Sequence, residues 1–299
     1  MYATADYLKL HIVVLLFGFT AILGKLITLP PVEMVFYRTL LAAIGMPTLL
    51  TLRRQPLRVG TKEGLIIFLT GFIVAAHWIT FFLSARISNV SVSLVGFATA
   101  SLWTALLDPI VSRQRIRALE LTFGIAVIIG LYVIFAADFS YVEGLIMAIV
   151  SGLTCAIFSI INSKMVRRVG ASQITLYEMA GACIAIALYF PLYVSEGNEL
   201  QLMPSGSDWI GLLTLAWVCS VYAYSVAVEI MKRMPVFFVQ LTMNMEPIYG
   251  ILLAVLIFGS TEKMDFSFYT GTAIVLMSVL LYPAFKRRFT TTQPTREGH

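Results

Sequence analysis

Long apolar runs separated by short polar punctuation dominate this chain, and no other feature constrains its fold as tightly. Ten of them stand near residues 8–28, 32–51, 63–84, 90–112, 118–136, 142–163, 172–194, 207–228, 234–259 and 266–285. Each approaches the length of about 20 apolar residues that a helix needs to cross the hydrocarbon core of a bilayer. Lipid offers no water to unpaired backbone N–H and C=O groups, so only helices and closed barrels span it. Barrel strands alternate lipid-facing and lumen-facing residues, whereas stretches such as Ile125 to Phe135 are apolar throughout. The pattern predicts an all-α membrane protein with ten transmembrane helices.

Composition agrees. The chain is 59% hydrophobic and 12% charged, against about 45–50% apolar and about 25% charged for a soluble domain. A water-soluble globule, a disordered chain and a secreted disulfide scaffold are excluded. Cys155, Cys183 and Cys219 all lie inside apolar runs, a pattern that spells neither a disulfide framework nor a metal-ligand spacing. The first run is too long, and its leading segment too little charged, for a cleaved signal peptide.

The net charge of +5 is distributed by side. With ten spans, Lys9 and the basic residues of 53–62, 113–117, 164–168, 232–233 and 286–296 share one side, against Arg86 and Lys263 on the other. Lysines and arginines accumulate in cytoplasmic loops, so both termini are expected in the cytoplasm of a multi-pass plasma-membrane protein. The same scatter of membrane-flanking cations lacks the aromatic-interleaved patch of a nucleic-acid binder, and no nucleic-acid partner is expected.

The fifth and tenth runs resemble each other at a shift of about 147 residues, around Gly124 and Gly271. The first and sixth pair Gly24-Lys25 with Ser163-Lys164 at a shift of about 139. These matches predict a duplication, with residues 1–138 and 139–299 as the two repeats. Five spans per repeat force the halves into opposite orientations. Inverted repeats are a recurrent transporter architecture, with the ligand site near the midplane between the halves.

An ionisable group at the centre of a spanning helix costs about 2.5–3.5 kcal/mol on insertion scales, so each one needs a reason. Glu246 stands mid-run directly before Pro247. Proline removes a backbone donor and kinks the helix, so Glu246 reads either as a cavity group or as a structural partner for freed backbone or for Lys25. His77 lies mid-run in the third span, and Phe97, Ser101, Thr104 and Asp108 form a stripe along the fourth. Gln240 and Asn244 share a face with Pro247. Such stripes line helix interfaces or cavities. The expected cavity lies among helices three, four, six, eight and nine. Its candidate residues are His77, Phe97, Thr99, Phe158, Tyr224, Asn244 and Glu246, with Phe97, Phe158 and Tyr224 as an aromatic wall. Bulky substitution at Thr99 is expected to block it. Lys25 and Arg38, near span ends, read as gate residues or as helix-end pairing partners, since a cation near a helix C-terminus complements the macrodipole. Asp108 is expected to pair with Arg113 and Arg115, and Glu178 and Glu229 to reach towards nearby loops.

The 5+5 plan, Lys25 near the end of the first helix, the segment 84-SARISNVSVSLVGFATASLWTALLDP, Glu246-Pro247 and the Gly124 and Gly271 helices together resemble the EamA-type transporters of the drug/metabolite transporter superfamily. Within it the chain is similar to bacterial amino-acid exporters of the aromatic type. The resemblance implies a secondary exporter of amino acids, broad in specificity, working by alternating access in the bacterial inner membrane. Its partners would be small-molecule substrates and the lipid bilayer. Export of drugs or nucleobase-like metabolites is the alternative within transport, and a lipid-handling flippase or a non-transporting membrane subunit is the alternative outside it. No metal-binding His-Glu-x-x-His, nucleophile elbow or phosphate loop occurs, so neither an enzyme nor a cofactor is expected. The oligomeric state is left open, with a monomer sufficient.

Overall fold

The structure, a computed structural model, describes residues 4–114, 118–135, 140–259 and 265–291. Among the described residues every regular element is helical. The first repeat carries α1 (Thr4–Leu26), α2 (Pro31–Leu52), α3 (Thr61–Ile87), α4 (Val90–Phe97), α5 (Ala100–Val111) and α6 (Ala118–Phe135). The second carries α7 (Val142–Met165), α8 (Ala171–Ser195), α9 (Asp208–Leu213), α10 (Ser225–Ile230), α11 (Val236–Met243), α12 (Glu246–Phe258) and α13 (Phe266–Thr291). A π-helical segment, Thr214–Tyr224, joins α9 to α10 in one continuous rod.

Eight segments of the described residues are long and apolar enough to cross a membrane: α1, α2, α3, Val90–Val111, α7, α8, Asp208–Ile230 and Val236–Phe258. The fifth and tenth runs form α6 and α13, which pack on each other. Their described apolar stretches, Leu121–Gly130 and Phe266–Ser278, are shorter than a span. Arg115 and Arg117, Lys263 and the basic tail at Arg296 lie outside the described residues.

Two spans are broken at their centres. The fourth run breaks at Ala98–Thr99 and the ninth at Asn244–Met245. In the ninth, the kink expected at Pro247 falls two residues earlier. Pro247 thereby occupies the first turn of α12, where a missing N–H is one of the helix's unpaired donors anyway. The fourth run has no proline at its break. There the Ala98 amide is shared between the carbonyls of Leu94 and Val95, and the Thr99 hydroxyl donates to the Gly96 carbonyl at 2.8 Å. α4 packs against α12 and α5 against α11. The Asn244 amide donates to Ser101 Oγ at 2.8 Å, tying the two breaks together.

α3 lies between α7 and α8. In lipid, helix pairs gain little from hydrophobic association, so small residues that let backbones touch carry the packing. A Cβ on Gly181 would stand 2.0 Å from the Phe68 carbonyl oxygen, and one on Gly71 2.4 Å from that of Glu178. Only hydrogen fits at either position.

At one end of the bundle the repeats are laced together. The Arg86 guanidinium donates to the carbonyls of Gly24, Ile27 and Leu29, closing the last turn of α1. The Asp208 carboxylate accepts from the Thr28 amide at 2.8 Å and the Thr28 hydroxyl at 2.6 Å. Glu33 Oε1 accepts from the Gln201 amide at 3.0 Å, and the Tyr37 hydroxyl donates to the Leu202 carbonyl. At the other end Arg233 forks onto Asp6, with its shortest contact at 2.8 Å. Arg233 lies between spans, and these hydrogen bonds to Asp6 raise its pKa from the usual arginine value.

Candidate functional site

The broken helices, α1, α2, α3, α7, the π-helical segment and α10 line a central cavity of about 60 Å³, room for a few water molecules. Its walls are aromatic. The His77 ring lies 5.4 Å from Phe97 and 5.3 Å from Phe158, centre to centre, and Phe81 stands 5.6 Å from Phe97. Tyr224 closes the ring, 5.9 Å from Trp78 and 6.0 Å from Phe158. Offset and edge-on pairs at these separations are worth about 0.5–1.5 kcal/mol each beyond their burial.

Into this wall the fold sets one basic and one acidic side chain. Arg38 of α2 is 2% exposed, with its guanidinium stacked 3.8 Å from the centre of the Trp78 ring. Its Nε donates to Ser220 Oγ at 2.7 Å, and Ser220 in turn donates to the Leu215 carbonyl. This second bond is made possible by the π-helical winding, since it reaches back five residues. Among the described residues no acceptor engages the two Nη groups of Arg38. Glu246 begins α12 and also lines the cavity. It is close enough to Arg38 to interact electrostatically, yet no direct ion pair joins them.

His77 is oriented by α7. Its Nδ1 stands 3.0 Å from the Ser151 carbonyl oxygen and 2.8 Å from Ser151 Oγ. A proton on Nδ1 satisfies the carbonyl, which can only accept, and among the described residues no protein group bonds Nε2. Gln240 of α11 donates to Ser159 Oγ at 2.7 Å, holding the opposite wall to α7. Behind Tyr224 lies Glu178 of α8, fully buried, accepting from the Tyr224 hydroxyl at 2.8 Å and from the Asn162 amide at 3.3 Å.

Of the residues expected at the site, His77, Phe97, Phe158, Tyr224 and Glu246 line this cavity together. Thr99 and Asn244 do not. Thr99 packs its hydroxyl against Gly152, where a Cβ would come within 2.6 Å, so a bulky residue there would act through the α4–α7 packing. Asn244 spends its amide on Ser101. Arg38, expected near a span end as a gate residue, lines the cavity instead, because α2 packs against the π-helical segment that carries Ser220. Lys25 stays at the end of α1, its Nζ 4.7 Å from the Phe258 ring centre. Asp108 accepts from Ser112 at 3.0 Å, while Arg115 lies outside the described residues. Glu178 was expected to reach towards a loop and is instead sealed in the interior by Tyr224 and Asn162. Glu229 does reach a loop, pairing with Arg233 at 3.3 Å.

Sequence reasoning missed Trp78, Asn162 and Ser220. Trp78 is adjacent to His77 in 77-HWITFF, and its neighbourhood was the available signal. Nothing local marks Asn162 or Ser220, whose partners come from other helices.

A search of the curated proteins finds no match. One solved structure, described only as the crystal structure of a protein, superposes with a TM-score of 0.72 at 17% identity. The alignment covers 96% of this chain and 100% of that one, and the likeness shows the fold. The model of the EamA-like transporter family matches the chain twice, at residues 7–136 and 142–282. Two consecutive matches across nearly the whole chain, on a bundle of membrane-length helices around a buried cavity, place this protein in the EamA-like transporter family.

Proposed function

We propose that the protein is a secondary exporter of amino acids, broad in side-chain preference, that works by alternating access around the cavity described above. The carrying observation is the placement of Arg38 and Glu246. The two face one aromatic-walled cavity without neutralising each other, which is the complement of a zwitterion. The free Nη pair of Arg38 matches a carboxylate bidentately, as guanidinium forks do. Glu246 and the bare Nε2 of His77 supply acceptors for an ammonium. The aromatic and methionine surfaces of Phe81, Phe97, Phe158 and Met243 take the side chain, and apolar walls discriminate weakly between side chains.

Alternating access accounts for two further features. The cavity holds only a few waters, so its walls must part for an amino acid to enter. The bonds of Thr28 to Asp208, of Gln201 to Glu33 and of Tyr37 to Leu202 lace one end of the bundle shut between the two repeats, as the closed end of such a cycle requires. We read the repeats as inverted, with ten spans and both termini cytoplasmic, in a bacterial inner membrane. In that topology the exposed Ser205, in the α8–α9 connection, faces outward. A Ser205→Cys variant in whole cells is expected to react with a membrane-impermeant maleimide added from outside. Labelling solely in inverted vesicles would overturn the topology.

Transport itself is tested by counterflow in proteoliposomes loaded with a panel of amino acids. Exchange of several members is expected. Failure of every member, with monodisperse protein, would remove the amino-acid reading and turn the search to nucleobase-like or drug-like solutes.

A further inference from the structure

Glu178 is a carboxyl that the reading above does not use. Its surroundings are unusual in three ways. First, it is fully buried, and no cation bonds it among the described residues. An ionised carboxylate without a partner in an apolar interior is among the costliest groups a fold can hold. Second, two acceptor atoms at this spot, Glu178 Oε1 and Asn162 Oδ1, are buried with no donor. A proton on the carboxyl removes the uncompensated charge and turns an acceptor-only group into one that can also donate. Third, both of its hydrogen-bond donors, Tyr224 and Asn162, line the central cavity. The Asn162 amide also reaches the Tyr224 hydroxyl at 3.1 Å, so the three groups form one connected triangle between Glu178 and the cavity.

We infer that Glu178 is a proton-binding site that exchanges one proton with the cavity through the Tyr224 hydroxyl, making the carrier a proton antiporter. Uptake is a relay. A hydronium in the cavity gives a proton to Tyr224 Oη while the proton already on Oη passes to Glu178 Oε2. One O–H bond forms at each acceptor as another breaks, water is left in the cavity, and the carboxylate becomes neutral. Release reverses each step. An ammonium in the cavity favours the ionised carboxylate, whereas the added proton removes that attraction, so substrate and proton each disfavour the other by the same free energy. Mutual exclusion of this kind is what drives export by inward proton flow.

Glu246 is the other buried acid of the site, but it shares the cavity with Arg38 and so has a cation close by. Around α8, the π-helical segment presents Tyr224, and α7 presents Asn162. On the other elements packed against α8, Arg38 of α2, His77 of α3 and Glu229 of α10 carry charged or titratable groups, and none of them bonds Glu178.

The direction of coupling rests on the amino-acid reading; the proton site does not, and the experiment separates them. In purified protein in nanodiscs, infrared difference spectra between mildly acidic and mildly alkaline pH are expected to show a protonated-carboxyl C=O band. That band is lost in Glu178→Gln and kept in Glu246→Gln. Should Glu178→Gln fail to fold, Tyr224→Phe, which removes the bonded hydroxyl, is expected to shift the band's frequency. In proteoliposomes containing a pH-sensitive dye, an L-phenylalanine pulse is expected to move protons opposite to the amino acid, with loss of that signal in Glu178→Gln. Phenylalanine exchange without proton movement in the wild type would overturn the antiport. A carboxyl band unaffected by both Glu178→Gln and Tyr224→Phe would overturn the site. Absence of any phenylalanine exchange would count against the amino-acid reading, while the infrared result still decides the proton site.

Discussion

Replacing Arg38 with alanine is expected to abolish amino-acid exchange in proteoliposomes while leaving a monodisperse, folded protein. The guanidinium is held by the Trp78 face and by Ser220, and its Nη groups are left for a ligand. Truncating one partner of a buried, hydrogen-bonded charge pair costs about 2–5 kcal/mol, which is roughly a 30-fold loss of affinity or more. Folding depends on it less, because Ser220 keeps its own bond to Leu215 and the vacated space opens onto an existing cavity. Arg38→Lys keeps the charge but not the planar fork, and an intermediate loss is expected. Glu246→Gln completes the argument from the other pole: amino acids should bind more weakly, while their N-acetylated counterparts, which lack the ammonium, should be unaffected. Normal exchange by Arg38→Ala would remove the zwitterion model of the cavity.

The largest effect on folding is expected at Gly181. Its α-carbon meets the backbone of α3 at Phe68, where a Cβ would approach the carbonyl oxygen to 2.0 Å. Backbone cannot rotate aside as a side chain can, so Gly181→Leu must drive α3 and α8 apart. Overpacking in a well-filled interior costs about 1–3 kcal/mol, occasionally more. Here the neighbouring contact of Gly71 with Glu178 and Ala182 is strained by the same displacement. Gly181→Leu should therefore shift the thermal unfolding of the purified protein sharply downward or leave it aggregated in detergent. Gly206→Ala is the control, since nothing lies within 4 Å of a Cβ at that position, and it should unfold as the wild type does.

Both predictions concern contacts that no single segment of the sequence displays. The helical character of the chain, by contrast, was legible from the sequence. An apolar window of sufficient length can satisfy its own backbone in lipid only as a helix, and that requirement is local. The eight membrane-length segments coincide with eight of the ten apolar runs for this reason. The aromatic wall was partly legible as well: Phe97, Phe158 and Tyr224 were expected there, and all three line the cavity. Helix periodicity shows which residues share a face, however, and not what that face meets. Hence Thr99 and Asn244, expected in the cavity, turn out to bond within and between helices instead.

What the sequence by itself determined, then, is the solvent this chain requires, its helices and the duplication that the family match follows. The tertiary structure alone decided where the charges go. Arg38 reaches Ser220 across 182 residues, Thr28 reaches Asp208 across 180, and Glu178 meets Tyr224 across 46. A lysine or glutamate near a span end reads the same in sequence whether it reaches for headgroups or turns inward. In lipid its position is settled by whether another helix offers a hydrogen-bond partner, and that partner exists only once the helices have packed.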